Sequence, residues 1–372
     1  MNNICNIKES MKNNRKELHV LAEIGNKEFQ TSNYIKNYLK NIGVDFEEYL
    51  ETAVVGMIKG KNPSKTIAFR ADMDALTLGD TAKHLCGHDG HMSVLLGLVT
   101  YLNEHRENLV DNVVFIFQPA EEGPGGAQPL IKAGIVEKYN IDEIYGLHIY
   151  PEIPEGYVGT RPNYFLAQVG ELDIDITAKS GHGAMPQNGI DGIVLASSFI
   201  GSLQTIVSRN ISPLDNAVLT IGKMVGGTRR NIIAEKIRIE GTIRAFKPEV
   251  YETIKKRIRE LAKGYEVAYN CTIDVEIRDD YPAVNNNEDL YEEFTKVIEP
   301  DKLIKLDPIM ISEDFSFYQQ VIPGLFFMLG AKNEEKGFVH GLHSLDFNFD
   351  EGILGNALEI YINLLKHKKS LL

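Results

Sequence analysis

The run Asn112–Gln118 (NVVFIFQ) is apolar at every position between its polar ends. Such a strand is buried on both faces, as in a sheet sandwiched between helices, and cannot belong to a sheet with one solvated side. The neighbouring sequence supplies the covering layers. Helices are expected over residues 7–22 and 29–42; in the second, Tyr34, Ile35, Tyr38, Leu39 and Ile42 recur at three- and four-residue spacing and form one apolar stripe. Gly43 follows as a C-terminal stop. Strands are expected at 53–58, 65–69 and 143–148, with a buried helix at 93–102 and another near 127–133. This βαβα alternation implies an α/β domain with a mostly parallel sheet. In such sheets polar groups just past the strand C-termini line the ligand crevice.

The pattern changes near Gly170. Residues 171–178 (ELDIDITA) alternate polar with apolar, and 217–225, 236–246 and 272–278 also read as strands, with helices at 190–208 and 248–266 between them. One-faced strands with two helices suggest a smaller α+β domain inserted into the first. The first character returns after residue 281, with a helix near 290–298, a strand at 325–329 and a final helix at 352–366. The 372 residues suit two domains, read as 1–169 with 282–372, and 170–281.

Composition excludes several partners. The 39 Lys and Arg against 52 Asp and Glu give a net charge of −13, so no broad basic surface exists for nucleic acid. Apolar runs fall far short of the ~20 residues that span a bilayer, and the start, MNNICNIKES, carries no apolar secretory core. Cys5, Cys86 and Cys271 are odd in number and widely spaced. They form no disulfide framework and fit a reducing compartment, so a cytoplasmic location is expected.

The densest chemistry lies in Cys86-Gly87-His88-Asp89-Gly90-His91. Thiolate and imidazole both suit zinc and similar divalent ions, and the glycines let the backbone turn sharply. The plain alternative is a capping loop with a buried cysteine. Gln118-Pro119-Ala120-Glu121-Glu122-Gly123 then places two carboxylates at the end of the apolar strand. One can bind metal while the other handles a proton; a solvated acidic loop is the alternative. His148 in GLHIYP and His343 in GLHSLDFNFDE sit at comparable places. With Cys86, His88 and Glu122 they complete a set of S, N and O donors that suits a pair of metals.

The segments RADMDAL, CGHDGH, QPAEEG, GLHIYP, SGHGAMPQ, GTIRAF, SEDFSF and HSLDFNFDE together resemble the M20 metallopeptidase family, and most of all its amidohydrolase subgroup of hippurate, N-acyl-amino-acid and N-acetyldiaminopimelate deacylases. The motifs run in family order over about residues 10–367. The resemblance implies a di-zinc exopeptidase type of catalytic domain with a ferredoxin-like lid that also mediates dimerisation. It implies two divalent ions per subunit, zinc or manganese, with cobalt or nickel also compatible. Cys86, His88, Glu122, His148 and His343 match the metal ligands, and Glu121 the general base. His182 matches a lid histidine that stabilises the oxyanion, and Asn231 and Arg244 fall near the substrate's carboxylate end. The implied reaction hydrolyses the amide of an N-acyl amino acid or short peptide, in a homodimer or higher homo-oligomer.

Within that resemblance, a dipeptide-cleaving exopeptidase is the nearest rival. A cysteine hydrolase built on Cys86 would leave the paired glutamates idle and survive chelation. A non-enzymatic ligand-binding relative would have no need of Glu121. Three departures stand out: a shortened stretch at residues 76–80, Ala22 where relatives carry proline, and Arg229-Arg230 where relatives carry small or neutral residues. The arginines could favour an acidic substrate group or simply face solvent.

Overall fold

The computed structural model describes residues 2–79 and 81–372, with side chains from Ile4 onward. Met1 and Asp80, the latter in the shortened stretch, lie outside the described residues. The chain divides into two compact units. One contains the residues up to Asn163, Asn285–Asp307 and Asp314–Leu372; the other contains Tyr164–Val284 and Pro308–Glu313.

The sheet strands, in chain order, are β1 (Glu47–Tyr49), β2 (Ala53–Ile58), β3 (Thr66–Asp72), β4 (Asn112–Gln118), β5 (Glu143–Pro154), β6 (Val158–Thr160), β7 (Gln168–Thr177), β8 (Ala217–Gly226), β9 (Lys236–Ala245), β10 (Thr272–Asp279), β11 (Leu303–Lys305) and β12 (Gly324–Lys332). The longer helices are α1 (Asn2–Val20), α2 (Phe29–Asn41), α3 (His88–Glu104), α4 (Gly192–Asn210), α5 (Pro248–Tyr269) and α6 (Gly352–His367).

The first unit is built on an eight-stranded sheet in the order β1-β2-β4-β3-β5-β12-β6-β11. Its centre is parallel: β3 pairs in parallel with β4 and β5, and β5 with β12. The antiparallel pairings join β1 to β2, β2 to β4 and β12 to β6. β4 is buried on both faces, as its sequence requires. Val113, Phe115 and Phe117 enter the core formed with α1, α3 and α6, while Val114 and Ile116 are equally buried on the alternate face. Arg70 and Asp72 at the end of β3 and Gln118 at the end of β4 lie side by side in parallel register. This α/β architecture with its mostly parallel sheet is the expected one.

Two of the differences from expectation bear on chemistry. α3 begins at His88 and not near residue 93, because polar residues of its first turn are held by distant partners. Asp89 accepts from Arg15 Nε at 2.9 Å and pairs with His19 Nδ1 at 2.7 Å. β5 does not end at His148 but continues to Pro154, because β12 follows it to that residue across a register shift between Gly330 and Lys332. His148 is therefore fixed within a strand.

The second unit runs β7, α4, β8, β9, α5, β10. Its antiparallel sheet has the order β8-β9-β7-β10. Leu172, Ile174 and Ile176 of β7 pack with Phe199 and Leu203 of α4 and Ile254 and Ile258 of α5 in a separate core. Among the described residues no helix is long and apolar enough to cross a membrane.

Candidate metal centre

Gly87, at φ +89°, is the N-cap of α3. That left-handed conformation is cheap only for glycine, and it turns the chain between Cys86 and His88. Both side chains then meet His148 from β5, with their donor atoms within 4.8 Å of one another. A second group at the same separation joins Cys86 to Glu122 and His343. Cys86 Sγ lies 3.4 Å from His148 Nε2 and 3.3 Å from His343 Nε2. Glu122 Oε1 lies 3.5 Å from His343 Nε2 and 3.9 Å from His88 Nε2. Glu121 Oε2 is also 3.9 Å from His88 Nε2. Cys86, His88, Glu121, Glu122, His148 and His343 are thus brought together around one site.

The backbone sets which ring nitrogen faces that site. His88 Nδ1 donates to Asp74 O at 2.9 Å, leaving Nε2 buried without a hydrogen-bond partner. His148 Nδ1 donates to Ile149 O at 2.7 Å, so its Nε2 carries the lone pair. The His343 backbone N–H donates to Leu85 O at 2.8 Å, tying its loop to the residue before Cys86. A buried ring nitrogen left unpaired costs about 1–3 kcal/mol, a penalty that a bound cation removes. Carbonyl oxygens that fix imidazole tautomers in this way are the usual outer shell of a metal site.

The electrostatics favour a cation as well. Burial disfavours charge on His88, yet Asp72, Asp74 and Glu122 outweigh it and push its pKa up to about 10. Burial and the charges of Glu122 and Glu121 push the Cys86 thiol well up. Burial, reinforced by His91, pushes His148 down to about 3, keeping it neutral. The site therefore concentrates carboxylates around a thiol and imidazoles, and the same negative field that raises His88 attracts a cation. Sulfur, nitrogen and oxygen donors in this mixture fit a divalent ion such as zinc or manganese.

Asp72, His88 and His91 also come within 4.8 Å of one another, but this group is engaged elsewhere. His91 Nδ1 bonds Asp72 Oδ1 at 2.6 Å, and its Nε2 accepts the Ile149 N–H at 2.9 Å. Asp72 Oδ2 accepts from Arg70 at 2.7 Å, and Arg70 reaches Asp314 at 2.7 Å. Of the two histidines in CGHDGH, His91 is consumed by this buried network and His88 is not.

Asp74 is a residue that sequence reasoning did not assign. Its two carboxylate oxygens accept the N–H groups of Glu121 and Glu122, each at 3.0 Å. It thereby sets the backbone of the acidic pair. The segment RADMDAL signalled its presence without revealing that task.

The remaining candidates lie in the second unit. The segment Gly181–His182 pairs with Ile232–Ile233, and Asn231 O accepts the Gly183 N–H at 2.9 Å. His182 and Asn231 are exposed, as are Arg229 and Arg230. Arg244 is half-buried and donates to Ser312 Oγ at 3.1 Å.

Comparison with known proteins shows the family. Peptidase family M20/M25/M40 matches residues 68–367. An N-acetyldiaminopimelate deacetylase of Listeria innocua serovar 6a is 38% identical over 95% of this chain and 98% of its own length. A solved structure from methicillin-resistant Staphylococcus aureus superimposes with a TM-score of 0.91 at 32% identity, covering 98% of this chain and 97% of that one. A dinuclear metal-binding peptidase of the M20 family from Bacillus subtilis gives a TM-score of 0.83 at 28% identity, covering 96% and 97%. This chain belongs to peptidase family M20/M25/M40 and is a metal-dependent amide hydrolase.

Proposed function

We propose that the protein removes the acetyl group from an N-acetylated diamino dicarboxylic acid of the N-acetyldiaminopimelate type, using two divalent ions. The observation that carries this reading is the meeting of two donor groups, Cys86–His88–His148 and Cys86–Glu122–His343, beside Glu121. A donor set shared through Cys86 supports two ions over one, and the deacetylase relative supports the substrate class. Bound there, zinc or manganese would acidify a water and polarise the acetyl carbonyl.

The chain's own residues do the rest. Cys86, His88, Glu122, His148 and His343 hold the ions. Glu121, fixed through its N–H by Asp74, takes a proton from the attacking water. Carbon–oxygen bond formation at the carbonyl precedes carbon–nitrogen cleavage, and Glu121 returns the proton to the departing amine nitrogen. Water and amide become acetate and a free amino acid. His182 donates to the carbonyl oxygen as negative charge develops there, while Asn231 and Arg244 bind the substrate's carboxylate end.

Turnover of a panel by metal-loaded protein tests the reading. N-acetyldiaminopimelate is expected to exceed N-benzoylglycine and simple dipeptides by at least tenfold in kcat/KM. A dipeptide turned over faster than any N-acetyl substrate would favour the exopeptidase reading instead.

The second unit acts as a ferredoxin-like lid and dimerisation domain in this proposal. Its βαββαβ order supports the first role, and two exposed apolar pairs support the second. Met224 and Val225 lie on the edge strand β8, and Ile193 and Val194 begin α4. An unpaired edge beside exposed apolar residues invites a second copy. Sedimentation should therefore show a homodimer, and Val225→Lys should shift it to monomer. An unchanged sedimentation coefficient would place the interface elsewhere. The free cysteines Cys5, Cys86 and Cys271 fit a reducing compartment, which supports action in the cytoplasm.

A further inference from the structure

The turn that carries Glu121 and Glu122 is held in an unusual conformation. Ala120 has φ +58°, a left-handed geometry that alanine rarely adopts and that its side chain cannot support by hydrogen bonding. Other groups must hold it. Three successive N–H groups of the turn donate to buried carboxylates from distant segments. Asp74 takes those of Glu121 and Glu122, and Glu28 Oε1 takes that of Ala120 at 2.9 Å.

Glu28 is completely buried. Its Oε1 also accepts the Asn26 N–H at 2.9 Å, and its Oε2 accepts the Thr52 hydroxyl at 2.9 Å. Among the described residues no cation pairs with it; burial, aided by Asp74, raises its pKa against the effect of these hydrogen bonds. Burying an acid without a counter-ion is expensive, and an apolar residue would serve simple packing better. The surrounding segment is pressed against the same turn. A Cβ on Gly25 would lie 2.6 Å from Gly123 O and 3.0 Å from Ala120 Cα. Two residues earlier, Glu23 O accepts the Ala75 N–H at 2.8 Å, next to Asp74. Residues 23–28 thus brace the two segments that carry Asp74 and the acidic pair.

We propose that Glu28 is a positioning residue for amide hydrolysis, acting through the Ala120 N–H to hold the left-handed turn that separates the directions of Glu121 and Glu122. This rests on the assignment of Glu121 as base and Glu122 as ligand. Glu28 touches neither substrate nor metal. Without its acceptor oxygen, Ala120 relaxes toward ordinary backbone geometry and both carboxylates move together.

The test compares Glu28→Ala, Glu28→Gln and Thr52→Val in the full-length, metal-loaded protein. Glu28→Ala should lower kcat roughly 10- to 100-fold with little change in KM, as misplacement of a reacting group by about 1 Å does. It should also retain less zinc on dialysis than the parent. Glu28→Gln should recover most of both properties, because its amide oxygen can accept the Asn26 and Ala120 N–H groups while the Thr52 hydroxyl turns to accept from its NH₂. Thr52→Val lowers stability without touching Ala120, and should leave kcat per folded molecule within about twofold. If Glu28→Ala does not fold, Glu28→Met fills the space without the acceptor and carries the same expectation. Parent-like kcat and zinc retention in the alanine or methionine variant overturns the proposal, as does a glutamine variant no better than they are. Glu121→Gln run in parallel separates the readings: full turnover there removes the base, whereas its loss beside a parent-like Glu28→Met removes only the role of Glu28.

Discussion

Glu121→Gln is expected to lower kcat by about 10²- to 10⁴-fold, the usual contribution of a positioned acid–base group, while metal content stays at the parental value. The carboxylate is nearly buried, with 7% of the residue exposed, and its N–H is fixed by Asp74. Glutamine has the same length and keeps one carbonyl oxygen, so the turn and the neighbouring Glu122 stay in place. What it loses is the ability to take a proton from water and give it to nitrogen. KM should change little, because the acid's task falls after substrate binding. Steady-state kinetics with elemental analysis of the same sample decide the matter. A large fall in bound metal would make Glu121 a ligand. Near-normal turnover would remove it from proton transfer altogether.

Much of this site is legible along the chain, and the illegible part has a physical cause. β4 announces itself because burial on both faces leaves it no polar interior position. The ligand-type residues are legible because thiol, imidazole and carboxylate are few and stand beside glycines and strand ends. Spacing alone does not separate His88 from His91. The difference lies in Asp72 and Ile149, which occupy both nitrogens of His91 and leave one of His88 unpaired. Asp74 and Glu28 escape for a similar reason: they act on backbone N–H groups 47 and 92 residues away, and no local pattern encodes such a partner. The early start of α3 follows the same rule, since Arg15 and His19 hold Asp89 from another helix. The short strands β6 and β11 are three residues each, too brief for alternation to emerge.

Removal of the thiolate is the second change with a large expected effect. Cys86 belongs to both donor groups, whereas His148 and His343 each belong to one. Cys86→Ala should therefore weaken binding of both ions, and His343→Ala chiefly that of one. An outer-shell partner is typically worth 10- to 100-fold in metal affinity, and loss of a direct ligand should cost at least that. Without a cation the thiol is held protonated by burial and by the charges of Glu122 and Glu121; ion binding must displace its proton, so occupancy should fall as pH is lowered. Chelation of the parent should abolish turnover, and zinc or manganese should restore it. It should also lower thermal stability. An ion present at 100 times its dissociation constant contributes about 2.7 kcal/mol, or roughly 3–4 °C in Tm for a chain of 372 residues. In Cys86→Ala that chelator-sensitive increment should largely disappear, so treated and untreated samples melt together. A thiol hydrolase behaves in the opposite way: the chelated parent keeps its turnover, and Cys86→Ala loses activity without losing metal. Turnover that survives chelation would thus dismiss the metal centre, whereas joint loss of ion, increment and turnover in Cys86→Ala would tie all three to one sulfur atom.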